Sequence, residues 1–101
     1  MLEEELEEQV RACCAVFRVA RHHTYDSRHS RSGWPDDILI GTRILYRELK
    51  RVGRHPTPEQ RTTLALLKNA GADVGVWTPV EWFDGTIAAQ ISAISPRSGR
   101  R

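Results

Sequence analysis

Two short apolar runs, Ile38-Leu39-Ile40 and Ile44-Leu45-Tyr46, are joined by Gly41-Thr42-Arg43. β-Branched and aromatic residues on either side of a glycine-containing turn read as an antiparallel hairpin. If three residues form the turn, Ile40 faces Ile44, Ile38 faces Tyr46 and Asp36 faces Glu48. Directly opposed residues on such a pair have Cβ atoms roughly 4.5–5.5 Å apart. Two carboxylates held that close repel, so one is protonated or a cation sits between them. Side chains alternate along a strand, which puts Lys50 on the same face as Glu48. An ammonium beside a two-carboxylate metal site is a set of parts for phosphodiester hydrolysis. Asp37 is an alternative to Asp36, because a two-residue turn would place it opposite Glu48 instead. Under the three-residue turn it points the other way, towards packed surface.

A chain of 101 residues supports one modest core. It contains no apolar run near the length of a membrane span, and the acids that follow Met1 do not resemble a signal peptide. Cys13 and Cys14 are neighbours on a predicted helix and so point apart. They lack metal-ligand spacing and read as buried, reduced thiols, which implies the cytoplasm. The net charge of +2 conceals an asymmetry, since five of the thirteen acids lie within the first eight residues. The remaining chain is basic by seven charges. Such a body suits a polyanionic partner, although an ordinary solvated surface explains the charge equally well.

The periodicity predicts a helix over 3–20 with Leu2, Leu6, Val10, Cys13 and Phe17 on one stripe. A first strand is expected over 22–25, a polar basic loop over 26–33, and the hairpin over 36–50. Thr57 as N-cap, Pro58 at N1 and Gln60 at N3 punctuate the start of a second helix that ends at Gly71. A buried strand over 73–77, a short helical piece over 79–83 and a last helix over 84–94 complete the domain. The order is α-β-β-β-α-β-α, an α/β fold with a central mixed sheet flanked by helices. Residues 1–95 form the domain, and 96–101 read as a disordered basic tail. Ile87, Ile91 and Ile94, or Trp82, are candidates for either core or an interface. Trp34 and Trp77 read as packing residues.

Pro35-Asp36 followed by Glu48-x-Lys50 resembles the PD-(D/E)xK nuclease signature. More narrowly, the chain resembles a standalone virus-type replication–repair nuclease (VRR-NUC) domain over about residues 3–95. The stretches that carry the resemblance are His23-Thr24-Tyr25-Asp26-Ser27-Arg28, Gly33-Trp34-Pro35-Asp36, Arg47-Glu48-Leu49-Lys50, Thr57-Pro58-Glu59-Gln60 and 70–77. Each alone is commonplace, but here all five occur in the family's order and spacing. Asp37 departs from the family pattern, which commonly has an apolar residue there.

The resemblance implies a restriction-endonuclease-like core and a Mg²⁺-dependent DNA endonuclease, with Mn²⁺ able to substitute. Asp36 and Glu48 would hold the metal, with the Leu49 carbonyl as a further ligand and Lys50 as a catalytic residue. A carboxylate from the first helix often completes such sites. Glu3 lies nearer the buried stripe than Glu5 and is the better candidate, while an acidic first turn that satisfies the helix dipole explains both. Gln60 matches a family glutamine that contacts the metal-bound water or the phosphate, although its capping role accounts for it without catalysis. His23, Ser27, Arg28 and Arg31 are implied DNA contacts on one side, and Arg51 and Arg54 on the other. Standalone members are associated with phage and mobile-element replication and with branched DNA. Those associations imply Holliday-junction-resolvase-like cutting by a homodimer, possible helicase or repair partners, and host cytoplasm. A non-catalytic or partner-dependent DNA-binding module is the alternative.

Overall fold

The structure, a computed structural model, describes residues 1–24 and 33–97. Helix α1 (Glu3–Val16) buries Leu6, Val10, Cys13 and Cys14 along one stripe. The Glu5 carboxylate accepts the Leu2 N–H at 2.8 Å and satisfies an otherwise unpaired donor at the helix start. At the other end Val19 N–H bonds the Cys14 carbonyl and Arg18 N–H bonds Ala15, with Arg18 at φ 57°. This Schellman closure stops the helix abruptly and buries Val19. Strand β1 therefore begins at Ala20 and ends at His23, two residues earlier than its periodicity suggested.

Strands β2 (Asp37–Ile40) and β3 (Ile44–Leu49) form the hairpin with Ile40 opposite Ile44 and Ile38 opposite Tyr46. The three-residue turn is therefore the one adopted. β1 pairs antiparallel with β2 on the far side. After helix α2 (Pro58–Asn69), strand β4 (Asp73–Trp77) returns parallel to β3 and makes the sheet mixed, in the order β1-β2-β3-β4. The sequence suggested a buried β4. Instead it is an edge of the described sheet, with Asp73 exposed and only Trp77 fully buried. The expected helix over 84–94 is shorter, because Gly85 at φ 86° separates α3 (Pro79–Phe83) from α4 (Thr86–Ala93). No described helix is long and apolar enough to cross a membrane.

Alternation along the strands sets the two faces of the sheet. Leu39, Leu45, Leu49 and Trp77 point towards α1 and α4, where they meet Leu6, Val10, Ile87, Ile91 and Ile94 in the core. Ile87, Ile91 and Ile94 are completely buried there, so they belong to the core and are not available as an interface. Asp36, Glu48 and Lys50 belong to the opposite face, the one α2 crosses near β4.

The hairpin turn is locked onto the core. Thr42 N–H donates to the Ile94 carbonyl at 2.8 Å, and a Cβ on Gly41 would overlap that same oxygen. The neighbour is backbone and cannot swing aside. Gly41→Ala is expected to cost about 1–3 kcal/mol, as an overpacking substitution does. Urea denaturation checks it, and an unchanged midpoint would show that the hairpin tip is not seated on α4.

Candidate active site

Asp36 sits one residue before β2, and the register that places Asp37 beside Arg47 brings it opposite Glu48. Backbone and side chain lock the two together. Asp36 N–H donates to Glu48 Oε1 at 3.2 Å, and Leu49 N–H donates to Asp36 Oδ2 at 2.9 Å. The Asp36 carbonyl also accepts Thr24 N–H at 2.9 Å, so neighbouring chain pins this residue from both sides. A strand residue directs its N–H and C=O to the same side, so the Leu49 carbonyl also lies on the Asp36 side of β3.

Glu48 is 1% exposed. Burial and then the adjacent Asp36 charge push its carboxyl up to about 7, against a smaller opposing pull from Lys50. Asp36 also lies above its ordinary value, first because it is buried, although the Leu49 N–H favours its charged form. The opposed carboxylates inferred from the spacing are thus present, and they compete for one proton. Lys50 Nζ stands 3.3 Å from Glu48 Oε2.

Gln60 has the capping role expected of it and also reaches the carboxylate pair. Its Oε1 accepts the Thr57 N–H at 2.8 Å and closes the capping box, while its Nε2 donates to Glu48 Oε2 at 2.7 Å. The start of α2 is thereby fastened to the site. Gly33 sets the other half of that junction. It adopts φ 90°, and a Cβ there would stand 2.5 Å from the Glu59 carbonyl oxygen of α2. Only glycine lets the Gly33-Trp34-Pro35-Asp36 segment pass so close to the helix that carries Gln60. The glycine was visible in the sequence, but the need for it depends on a helix more than twenty residues away.

The back of the sheet holds a second charged cluster that sequence reasoning missed. Asp37 is completely buried, and its Oδ1 takes Arg21 at 3.1 and 3.0 Å and His23 Nδ1 at 2.7 Å. Glu7 lies 3.4 Å from both Arg21 and His23 Nε2. Asp37 Oδ2 has no hydrogen-bond partner among the described residues. His23, expected at the DNA, alternates onto the core face beside Asp37 and engages carboxylates there, while its charge still acts on Asp36. Arg21 and His23 are two apart on β1, and this spacing was the available signal. Ser27, Arg28 and Arg31 lie outside the described residues.

Arg51, Arg54 and His55 line a cleft of about 490 Å³ that begins at Lys50. Glu3 also lines it, whereas Glu5 is occupied at the helix cap. Among the described residues, however, no three His, Cys, Asp or Glu side chains converge as a metal site, so Glu3 does not complete a trio with Asp36 and Glu48.

The fold has a counterpart among solved structures. A protein described as a "VRR_NUC domain protein" superimposes with a TM-score of 0.69 over 93% of this chain and 88% of its own. The chain has the VRR-NUC fold. The two sequences are 18% identical, so the likeness is one of architecture, the restriction-endonuclease-like α/β core. No protein-family model and no curated protein matches the sequence. On the VRR-NUC fold, Asp36, Glu48 and Lys50 of this chain meet where the β2–β3 hairpin runs out beside the N-terminus of α2.

Proposed function

We propose that this chain is a metal-dependent endodeoxyribonuclease. The observation that carries the reading is the pair of opposed carboxylates, Asp36 and Glu48, with the Lys50 ammonium 3.3 Å from Glu48 at the mouth of a basic cleft. The VRR-NUC likeness supports a nuclease-type role on independent grounds.

The donor set fits Mg²⁺, with Mn²⁺ as a substitute. Both side chains are hard oxygen ligands, and Mg²⁺ takes only one or two carboxylates while keeping several waters. A Glu48 carboxyl held near 7 by burial and by Asp36 marks a place where negative charge lacks compensation. Asp36 and Glu48 would hold the ion, with the Leu49 carbonyl beside them. When bound, it polarises the scissile phosphate and lowers the pKa of an attacking water. Leu49 N–H and Gln60 hold the two carboxylates in place before any substrate arrives. Lys50, as an ammonium, donates to the phosphate oxygens on which charge develops. Arg51 and Arg54 grip the flanking backbone, and such contacts make binding steeply salt-dependent.

Branched DNA is the proposed substrate, with Holliday-junction-type resolution as the specialisation. Two symmetric cuts need two sites, so the active form is a homodimer. The test is incubation with Mg²⁺ or Mn²⁺ and four-way junction, flap, single-stranded and linear duplex DNA, with Asp36→Asn alongside. Metal-dependent junction cutting that the variant lacks is the expected result. Cutting of flaps or linear DNA alone would remove the resolvase assignment and keep the chemistry. DNA binding without cutting would transfer the reading to a partner-dependent module.

A further inference from the structure

The cleft beside Lys50 is more than a continuation of a basic surface. At about 490 Å³ it lies within the roughly 300–1,000 Å³ of pockets that hold a small molecule. Its walls differ in chemistry. Lys50, Arg51 and Arg54 supply phosphate donors, and His55 offers a flat ring. The N-terminus of α1 contributes to the same lining the apolar Leu2 and the carboxylates of Glu3 and Glu4. A site for phosphate alone has no use for an apolar wall or for acids, since both weaken an anion's hold. A nucleotide uses all three. Its phosphate pairs with arginine, its ring packs against Leu2 and His55, and an exocyclic amine donates to a glutamate.

We infer that this cleft takes one unpaired nucleotide next to the scissile phosphate. The inference rests on the nuclease reading and deepens it, because Lys50 belongs to both the cleft and the Asp36–Glu48 site. A strand that presents a phosphate to those carboxylates then places its neighbouring nucleotide between the β3–α2 loop and α1. Paired duplex cannot do this without unstacking and unpairing that base, which costs a few kcal/mol. Discrimination for branch points and frayed strands follows from this cost, without any further recognition domain.

The test uses the Asp36→Asn protein, in which every cleft wall is intact, and branched DNA with 2-aminopurine placed in turn at each position near the branch. Binding is followed by anisotropy and base environment by 2-aminopurine fluorescence. The expected result is a fluorescence change at one position only, removed by a second substitution, His55→Ala or Leu2→Asp. An abasic residue at that position should weaken binding roughly five- to tenfold, the contribution of about one stacked base. Tight binding with no change at any position, or with no abasic effect, would overturn the nucleotide site and leave the nuclease reading standing. Failure to bind DNA at all would overturn both.

Discussion

Lys50→Ala is expected to slow metal-dependent phosphodiester cleavage by about 10²–10⁴-fold, the range over which a positioned proton-transfer or charge-stabilising group acts. Lys50 follows β3 directly, and its N–H is tied to the Trp77 carbonyl at 2.9 Å, so its Cα is fixed by the sheet. Its ammonium is then held by Glu48 in a mostly buried setting. Such a group needs little reorganisation as charge builds on a phosphate, the condition under which an electrostatic contribution is largest.

A purely structural lysine predicts something different. The pair is mostly buried, so if Lys50 were only structural its loss would leave Glu48 without its partner and lower the thermal midpoint clearly, with little effect on cleavage by the folded protein. Comparing kcat, KM and thermal midpoint for Lys50→Ala and Lys50→Arg separates the two. A large fall in kcat at near-constant KM and midpoint supports the catalytic role. Arginine keeps the charge but spreads it over a planar fork, so partial recovery in Lys50→Arg would show that charge matters more than a point donor. Equal rates for wild type and Lys50→Ala would remove Lys50 from the chemistry.

The hairpin and its register were legible because two local facts sufficed, the length of the turn and the two-residue period of side chains. That Asp36, Glu48 and Lys50 share a face follows from that arithmetic, whereas reading them as a nuclease site rests on the resemblance of Pro35-Asp36 and Glu48-x-Lys50 to a family signature. Helix α2 was legible from Thr57, Pro58 and Gln60, since capping is local chemistry. What lay beyond the sequence was contact between distant segments. Gln60 bonding Glu48, Gly33 passing against the Glu59 carbonyl, and Glu7 meeting Arg21 and His23 all depend on how α1 and α2 sit on the sheet. His23 illustrates the difficulty. The family stretch marked it for DNA, while strand parity put it with Asp37. Parity is decided by where β1 starts, and this in turn is fixed by the Schellman closure at Arg18. Nothing in the sequence distinguished α4 as core from α4 as interface, because an apolar stripe looks the same in both.

Glu48→Gln is expected to abolish cleavage and at the same time to stabilise the metal-free protein at pH 8 by about 2 kcal/mol. The sign follows from the direction of the shift. Burial and Asp36 raise the folded-state Glu48 carboxyl from the ordinary 4.5 to about 7, so the folded chain holds that proton more tightly than the unfolded chain. The stability this supplies is complete below the ordinary value and is lost as pH climbs from there through about 7. At pH 8 a buried, ionised Glu48 faces Asp36 with only Lys50 to offset it. A shift of that size corresponds to roughly 3 kcal/mol, reduced here because the amide keeps only part of the hydrogen bonding of the carboxylate to Gln60, Lys50 and Asp36 N–H. For a domain of this length the gain is on the order of 10 °C in Tm. At pH 4 Glu48 is protonated in both states, and the advantage of the amide disappears. Mg²⁺ supplies the complementary measurement. It should raise the Tm of the wild type at pH 8, since an ion that binds only the folded state stabilises it, and should leave Glu48→Gln nearly unmoved. A variant less stable than wild type at pH 8 without metal would mean that Asp36 and Glu48 are not strained against one another. The carboxylate pair would then have lost its reason to bind a cation.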